Sequence, residues 1–333
     1  RAAVAMSSLC VRSPARHGAH ARRGAPAAVA APARPSLRPR RTRAKATSDA
    51  FAEVGSGTIT AEQLKGERYI VFNRFECRDM KDSAARFEKR WTERKSRLAD
   101  LDGFRFFSLL RRVPFDRDEE LVVPEGEPNY MSFTVWEDKS GFNEWRKGDA
   151  FKEAHGGGSI FGFLDMILSS TMTLKGTPKP AFYDALIPIS KVPESVPAAP
   201  GGWRDVQADG KNPIAPDVFV AQNRFAVDKG EEEAFEQRWA SRESELMDCE
   251  GFVFFTMMRR DALEADDGFN YVSTTIWESR EAFEAWRAGS AFKRAHGEGK
   301  AGGKPAAGKP MFSKPPSPAL WEGKLMLTTP QGA

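Results

Sequence analysis

Histidine and cysteine are scarce in this chain of 333 residues, with four of the first and three of the second. His17, His20 and Cys10 lie within the first 48 residues. Cys77 and Cys249 stand in unrelated positions and form no C-x-x-C unit, which excludes a disulfide scaffold and a zinc ribbon and fits a reducing compartment. No run of about 18 apolar residues exists, so no membrane-spanning helix is expected. The nearest approach, 160–168, is broken by Gly162 and Asp165. Acidic residues are absent from residues 1–48, which hold ten arginines and Lys45. Of the 50 basic residues in the whole chain, 39 remain beyond that segment to face all 46 acids. The rest of the chain is therefore mildly acidic, and a basic nucleic-acid binder is excluded.

Residues 1–48 are rich in Ala, Arg, Ser and Pro and show no sustained hydrophobic period. That composition predicts an organellar transit peptide, chloroplast before mitochondrion, with cleavage near 44–47; a basic tail without an address is the alternative. The apolar stretch 27–31, closed by Pro26 and Pro32, is too short for a secretory core. Because the sequence opens on Arg1, Met6 is the expected start.

What is abundant is self-similarity. Tyr69-Ile-Val-Phe-Asn-Arg-Phe75 parallels Phe219-Val-Ala-Gln-Asn-Arg-Phe225, and Phe87-Glu-Lys-Arg-Trp91 parallels Phe235-Glu-Gln-Arg-Trp239. Gly103-Phe104 and Gly251-Phe252 follow, each glycine twelve residues after the tryptophan. The longest match runs from Phe142 to His155 and from Phe283 to His296. Each copy predicts a strand (69–75; 217–225) and a helix with Phe87, Trp91 and Leu98, or Phe235, Trp239 and Leu246, on one stripe. A glycine C-cap at Gly103 or Gly251 and two strands come next (104–111 and 129–136; 252–260 and 270–277). A helical region split at Gly148 or Gly289 follows, with Asp149 and Ser290 as N-caps of its second part, and then a closing strand (180–187; 318–325).

The order β-α-β-β-α-β is the ferredoxin-like unit, an α+β arrangement with one sheet face uncovered. Two copies can bury those faces against each other, so an intramolecular pseudo-dimer, an α+β barrel within one chain, is expected. The expected division is a transit peptide at 1–48, domains at 58–190 and 217–330, and a Pro/Gly-rich linker at 191–216. The loop 114–128 is longer than its counterpart in the second copy, and the Gly/Lys/Pro-rich stretch 297–318 reads as a mobile loop.

The two histidines beyond the leader, His155 and His296, occupy one equivalent position, each ten residues after a tryptophan, Trp145 or Trp286. Each copy also sets an asparagine, Asn73 or Asn223, in the middle of a strand, where Asn is disfavoured. One imidazole per copy is too few for a zinc site but enough to hold haem iron from one side. An Asn amide could then donate to a ligand on the opposite face, and an indole could distort the macrocycle. Each residue also has a plainer reading. The histidine can serve the helix dipole, the tryptophan the core, and the asparagine a backbone group at a bulge.

The joint pattern resembles the antibiotic-biosynthesis-monooxygenase (ABM) family and, more narrowly, its IsdG-type haem-degrading monooxygenases, in plastid-targeted tandem form. The resemblance is carried by Asn73-Arg74 and Asn223-Arg224, by Thr134-Val-Trp136 and Thr275-Ile-Trp277, and by F-x-x-W-x-x-G-x-x-F-K-x-A-H ending at His155 and His296. It implies proximal haem ligation by His155 and His296, distal hydrogen bonding by Asn73 and Asn223, and ring distortion by Trp145 and Trp286. It further implies that haem is both cofactor and substrate, with dioxygen and an electron-donor protein (ferredoxin or an NADPH-dependent reductase) as partners. The products would be a bilin-type tetrapyrrole and iron. A haem carrier without turnover, a cofactor-free ABM oxygenase of another substrate and a stress-related α+β barrel are the alternatives. The second copy has the more compact family spacing and is the expected first site of haem binding.

Overall fold

Strand one of each copy alternates residues between two apolar environments, so it must lie between two packed layers. The computed structural model describes residues 63–93, 97–154, 171–191, 218–242, 244–261, 266–295 and 311–328. The first copy comprises β1 (Arg68–Phe75), α1 (Ser83–Thr92), β2 (Phe104–Val113), β3 (Tyr130–Trp136), α2 (Lys139–Lys147), α3 (Asp149–Ala154) and β4 (Lys179–Ser190). The second comprises β5 (Phe219–Phe225), α4 (Glu232–Ala240), β6 (Phe252–Arg260), β7 (Tyr271–Trp277), α5 (Arg280–Ala288), α6 (Ser290–Ala295) and β8 (Ser317–Thr328). The α+β class and the duplicated βαββαβ order are as expected.

The strands pair antiparallel in the orders β4-β1-β3-β2 and β8-β5-β7-β6. The edges then join, β2 to β8 and β4 to β6, closing one eight-stranded barrel within the chain. Closure leaves neither sheet with a free edge. Both closing strands have twelve residues, because each serves two sheets. β4 pairs with β1 over Lys179–Ala185 and with β6 over Tyr183–Ser190, with an irregularity between Leu186 and Ile189.

Side chains from both copies fill the barrel. Ile70, Phe72, Phe106, Phe133 and Tyr183 of the first meet Val220, Phe254, Met258, Ile276 and Trp321 of the second in one buried cluster. The outer face of each sheet packs under its own helices.

Three local expectations need correction. The helix carrying Phe87 and Trp91 ends at Thr92, and Leu98 sits in a separate 3-10 turn, Leu98–Asp100; Leu246 likewise lies in Leu246–Asp248. The seven-residue spacing holds because the turn returns Leu98 to the same apolar layer. Gly103 (φ +73°) and Gly251 (φ +68°) are left-handed but follow those turns rather than capping the helix. Asp149 and Ser290 are the first residues of α3 and α6, not their N-caps, and the Asp149 carboxylate takes Lys152 Nζ at 2.8 Å. The side-chain caps lie one helix earlier, where Asp138 Oδ1 accepts from Gly141 N (3.0 Å) and Ser279 Oγ from Ala282 N (3.2 Å). Gly148 and Gly289 split the helical region as expected, each extended between two helices.

Candidate functional site

Inward-facing Ile70 and Phe72 alternate along β1 with Tyr69, Val71 and Phe75, which face the helices. Asn73 therefore lies on the helix-covered face, half-buried, and Asn223 holds the same place on β5 between Ala221 and Phe225. Trp145 on α2 joins the same layer, packing on Trp136 (5.6 Å between ring centroids), Phe142 (5.7 Å) and Phe151 (5.0 Å, edge-on). Trp286 on α5 repeats this with Trp277 (5.3 Å), Phe283 (5.9 Å) and Phe292 (4.9 Å, edge-on). Asparagine and tryptophan of each copy thus share one face of one sheet. His155 and His296 lie outside the described residues, each immediately after its short helix, α3 or α6. Among the described residues no group of three His, Cys, Asp or Glu side chains could hold a metal ion.

Several polar atoms in this layer have no protein partner. Asn223 Oδ1 is buried and accepts no hydrogen bond, and the indole Nε1 of both Trp136 and Trp277 is buried and donates none. An unsatisfied buried polar group costs about 1–3 kcal/mol unless a ligand or water completes it. The amide ends of Asn are interchangeable by a flip, so Asn223 can offer either an acceptor or a donor. On this observation the second copy's residues fit a ligand with a polar group in the helix-covered layer. Trp136 and Trp277 end the repeated strand-three motif. Their identical position and shared unpartnered nitrogen add them to the site.

A second set of residues passed unnoticed in the sequence although it lies inside a repeated pentamer. Glu88, 1% exposed, accepts from Arg111 Nε (2.7 Å) and Tyr130 Oη (2.7 Å). Glu236, 0% exposed, accepts from Arg259 Nη1 (2.9 Å), Tyr271 Oη (2.7 Å) and Leu64 N (2.7 Å). Each carboxylate ties the first helix of its copy to strands two and three. Burial foremost, and for Tyr271 the Glu236 hydrogen bond next, pushes both tyrosine hydroxyls above their usual range. The Cys77 thiol beside this network is pushed up to about 12, by burial and then by Glu88, which makes it unreactive.

The two sites are not equivalent. In the first, Tyr69 Oη donates to Asp261 of the second copy (2.7 Å), which also pairs with Lys139 at the start of α2 (2.7 Å). In the second, Phe219 replaces Tyr69, and the long loop 114–128 of the first copy reaches across instead. Arg117 bonds Glu281 (2.6 Å) and Glu284 (3.0 Å) on α5, and Arg280 donates to the carbonyls of Pro114 (3.0 Å) and Phe115 (2.8 Å). The helix carrying Trp286 is thereby fastened from outside its own copy.

The family model for antibiotic biosynthesis monooxygenases matches residues 68–157 and 218–298. Solved structures similar to this chain include a provisionally assigned monooxygenase of Fusobacterium nucleatum (10% identity, 79% of this chain and 95% of that one, TM-score 0.47). An anthrone oxidase-like protein has 14% identity over 81% of this chain and 96% of that one, with TM-score 0.42. A ferredoxin-fold protein related to antibiotic biosynthesis monooxygenases from Listeria monocytogenes has 10% identity over 78% and 96%, with TM-score 0.31. Likenesses this distant transfer no residue role, whereas the two family matches cover half of the chain and coincide with the two copies of the repeat. The chain belongs to the antibiotic biosynthesis monooxygenase family and carries two ABM repeats.

Proposed function

We propose that this protein is a haem-degrading monooxygenase of the IsdG type, using dioxygen and an external electron donor to open haem to a bilin-type tetrapyrrole and iron. Family membership supports an oxygenase role. The observation that carries the finer reading is the buried, unpartnered amide oxygen of Asn223 in the same helix-covered layer as Trp286 and Trp277. Bound haem would supply the redox iron and be the molecule consumed. His155 and His296 would hold it through one imidazole each. Asn73 and Asn223 would orient a polar atom from strand one. Trp145 and Trp286, backed by Trp136 and Trp277, would form the wall against which the planar substrate lies. We further propose that residues 1–48 direct the protein to the chloroplast, a reading tested by fusing them to a fluorescent reporter; a cytosolic signal would refute it.

Aerobic haem titration followed by reductant tests the activity. A Soret band should grow on titration and vanish on reduction as iron is released. A band that survives reduction identifies a carrier, and no band at all points to an ABM oxygenase of another substrate. The Asn223→Ala protein should still bind haem but degrade it more slowly by about a hundredfold, the usual loss for one catalytic hydrogen-bond donor. If a His155→Ala/His296→Ala protein binds and degrades haem like the parent, the ligand assignment is wrong.

A further inference from the structure

The repeat allows the two seams between the copies to be compared residue by residue. Lys139, the first residue of α2, and Arg280, the first of α5, are equivalent, each six positions before the site tryptophan. Each cation lies over the ring of the equivalent strand-one residue, Lys139 over Tyr69 and Arg280 over Phe219, both 5.7 Å from the centroid. Those two residues stand opposite Trp136 and Trp277 in the strand pairing. Each cation also reaches the residues that follow strand two of the other copy. Lys139 Nζ meets the Asp261 carboxylate beyond β6 (2.7 Å), and Arg280 Nη2 donates to the carbonyls of Pro114 (3.0 Å) and Phe115 (2.8 Å) beyond β2. At both seams the helix that carries the site tryptophan is thus anchored on the opposite copy.

The anchors differ in kind. Asp261 corresponds to Val113, each nine positions after the phenylalanine that opens its strand. Tyr69 Oη donates to Asp261 Oδ2 (2.7 Å), whereas Phe219 and Val113 pack in one apolar cluster. Hydroxyl and carboxylate are present together at one seam and absent together at the other. Tyr69 is 1% exposed, and a buried phenol without an acceptor is costly, so the two must change as a pair. Burying the polar pair does not in itself strengthen the seam, because Phe219 and Val113 fill the same places with no charge to desolvate. What the carboxylate adds is direction. Asp261 N donates to Phe182 O of β4 (2.8 Å), which fixes Asp261 to the sheet of the first copy, and Tyr69 steadies the same Oδ2 that Lys139 meets. Arg280 needs no such carboxylate, because main-chain carbonyls receive its guanidinium.

We infer that Asp261 is a positioning residue of the first site, supplied by the second copy, which holds Lys139 and so fixes how α2 brings Trp145 onto the sheet. The main chain at Pro114 and Phe115 does the same for α5 and Trp286. Neither site is complete within its own copy, and a side-chain substitution can loosen the first without touching the second. The consequence for haem rests on the reading of Trp145 and Trp286 as the wall of the substrate site; the consequence for α2 does not.

The test uses the full chain. Asp261→Val places the residue of the second seam at the first and strands the Tyr69 hydroxyl, so the protein should unfold at lower urea than the parent. Tyr69→Phe/Asp261→Val reproduces the second seam's apolar pair and should recover most of that stability. In the double variant the amide protection factors of α2 should nevertheless fall about tenfold, the loss of roughly one hydrogen bond to a charged group, while those of α5 stay parental. Protection of α2 restored along with stability, or an equal loss in α5, overturns the inference. Haem affinity gives the second readout. With His296→Ala leaving only the first site, the double variant should bind haem about tenfold more weakly than its Tyr69/Asp261 parent; with His155→Ala leaving only the second, affinity should not change. Unchanged haem affinity at the first site despite a loosened α2 also overturns the positioning role. A parental chain that binds no haem refutes the haem reading, and the exchange comparison of α2 with α5 then decides the inference by itself.

Discussion

Replacing Glu88 by alanine tests how the helix-covered layer is held in register. The carboxylate is 1% exposed and accepts hydrogen bonds from both Arg111 and Tyr130, themselves 8% and 2% exposed. Truncation leaves a guanidinium and a phenol buried without their acceptor. Breaking a buried ion pair by removing one partner typically costs about 3–5 kcal/mol, because the surviving charge cannot reach water. In a cooperative unit of this size each kcal/mol lowers the melting temperature by roughly 2–4 °C, so the fall should be about 6–20 °C. Urea unfolding followed by tryptophan fluorescence gives the free energy directly. Glu236→Ala should cost at least as much, since Glu236 also accepts from Leu64 N and thereby holds residues ahead of β1. A Glu88→Leu/Arg111→Met double variant should recover most of the loss, because an apolar pair of similar volume replaces the ionic one without a stranded charge. A Glu88→Ala protein within 1 kcal/mol of the parent would refute the argument that this carboxylate is an essential tie. So would a double variant no better than the single.

Alanine at Gly251 should destabilise more than alanine at Gly103 in parallel urea titrations. Both positions carry the left-handed penalty of about 1–2 kcal/mol, but only at Gly251 would the new Cβ meet Ala282 Cβ at 2.5 Å. The attachment of loop 114–128 to α5 should be lost at low pH. Arg117 holds Glu281 below its usual carboxyl range, and Arg117 and Arg280 do the same for Glu284 against the opposing effect of burial. A depressed folded pKa means that this stabilisation is present above the unfolded glutamate value of about 4.3 and disappears as pH falls below it. The protection factors of the loop amides, obtained from exchange rates divided by the intrinsic rate at each pH, should fall across that window and stay flat between pH 5 and 7. Each copy expressed alone should associate, because it exposes two sheet edges and the apolar face that fills the barrel. A monodisperse single-copy monomer in sedimentation would contradict that.

The duplicated order of elements, their amphipathic faces and the recurrence of Asn73, Trp145 and their counterparts at equivalent positions were legible in the sequence. These are local properties. Period-two alternation fixes which side of a strand a residue takes, and a repeated pattern doubles the signal. The end of α1 at Thr92 was not legible, because spacing cannot distinguish a continuing helix from a turn that brings Leu98 back to the same layer. The buried acceptor role of Glu88 and Glu236 was hidden as well, since a glutamate on an amphipathic helix reads as solvated until Arg111, Tyr130 and their equivalents converge on it from other strands. The ion pairs that cross between the copies join residues up to 193 positions apart, as between Arg74 and Asp267. Sequence alone determined two copies of one βαββαβ unit with a repeated Asn, Trp and His pattern. Only the tertiary structure decided how their edges close into one barrel, which polar groups are left without partners, and how the two copies come to differ, because barrel closure selects contacts that no local pattern encodes.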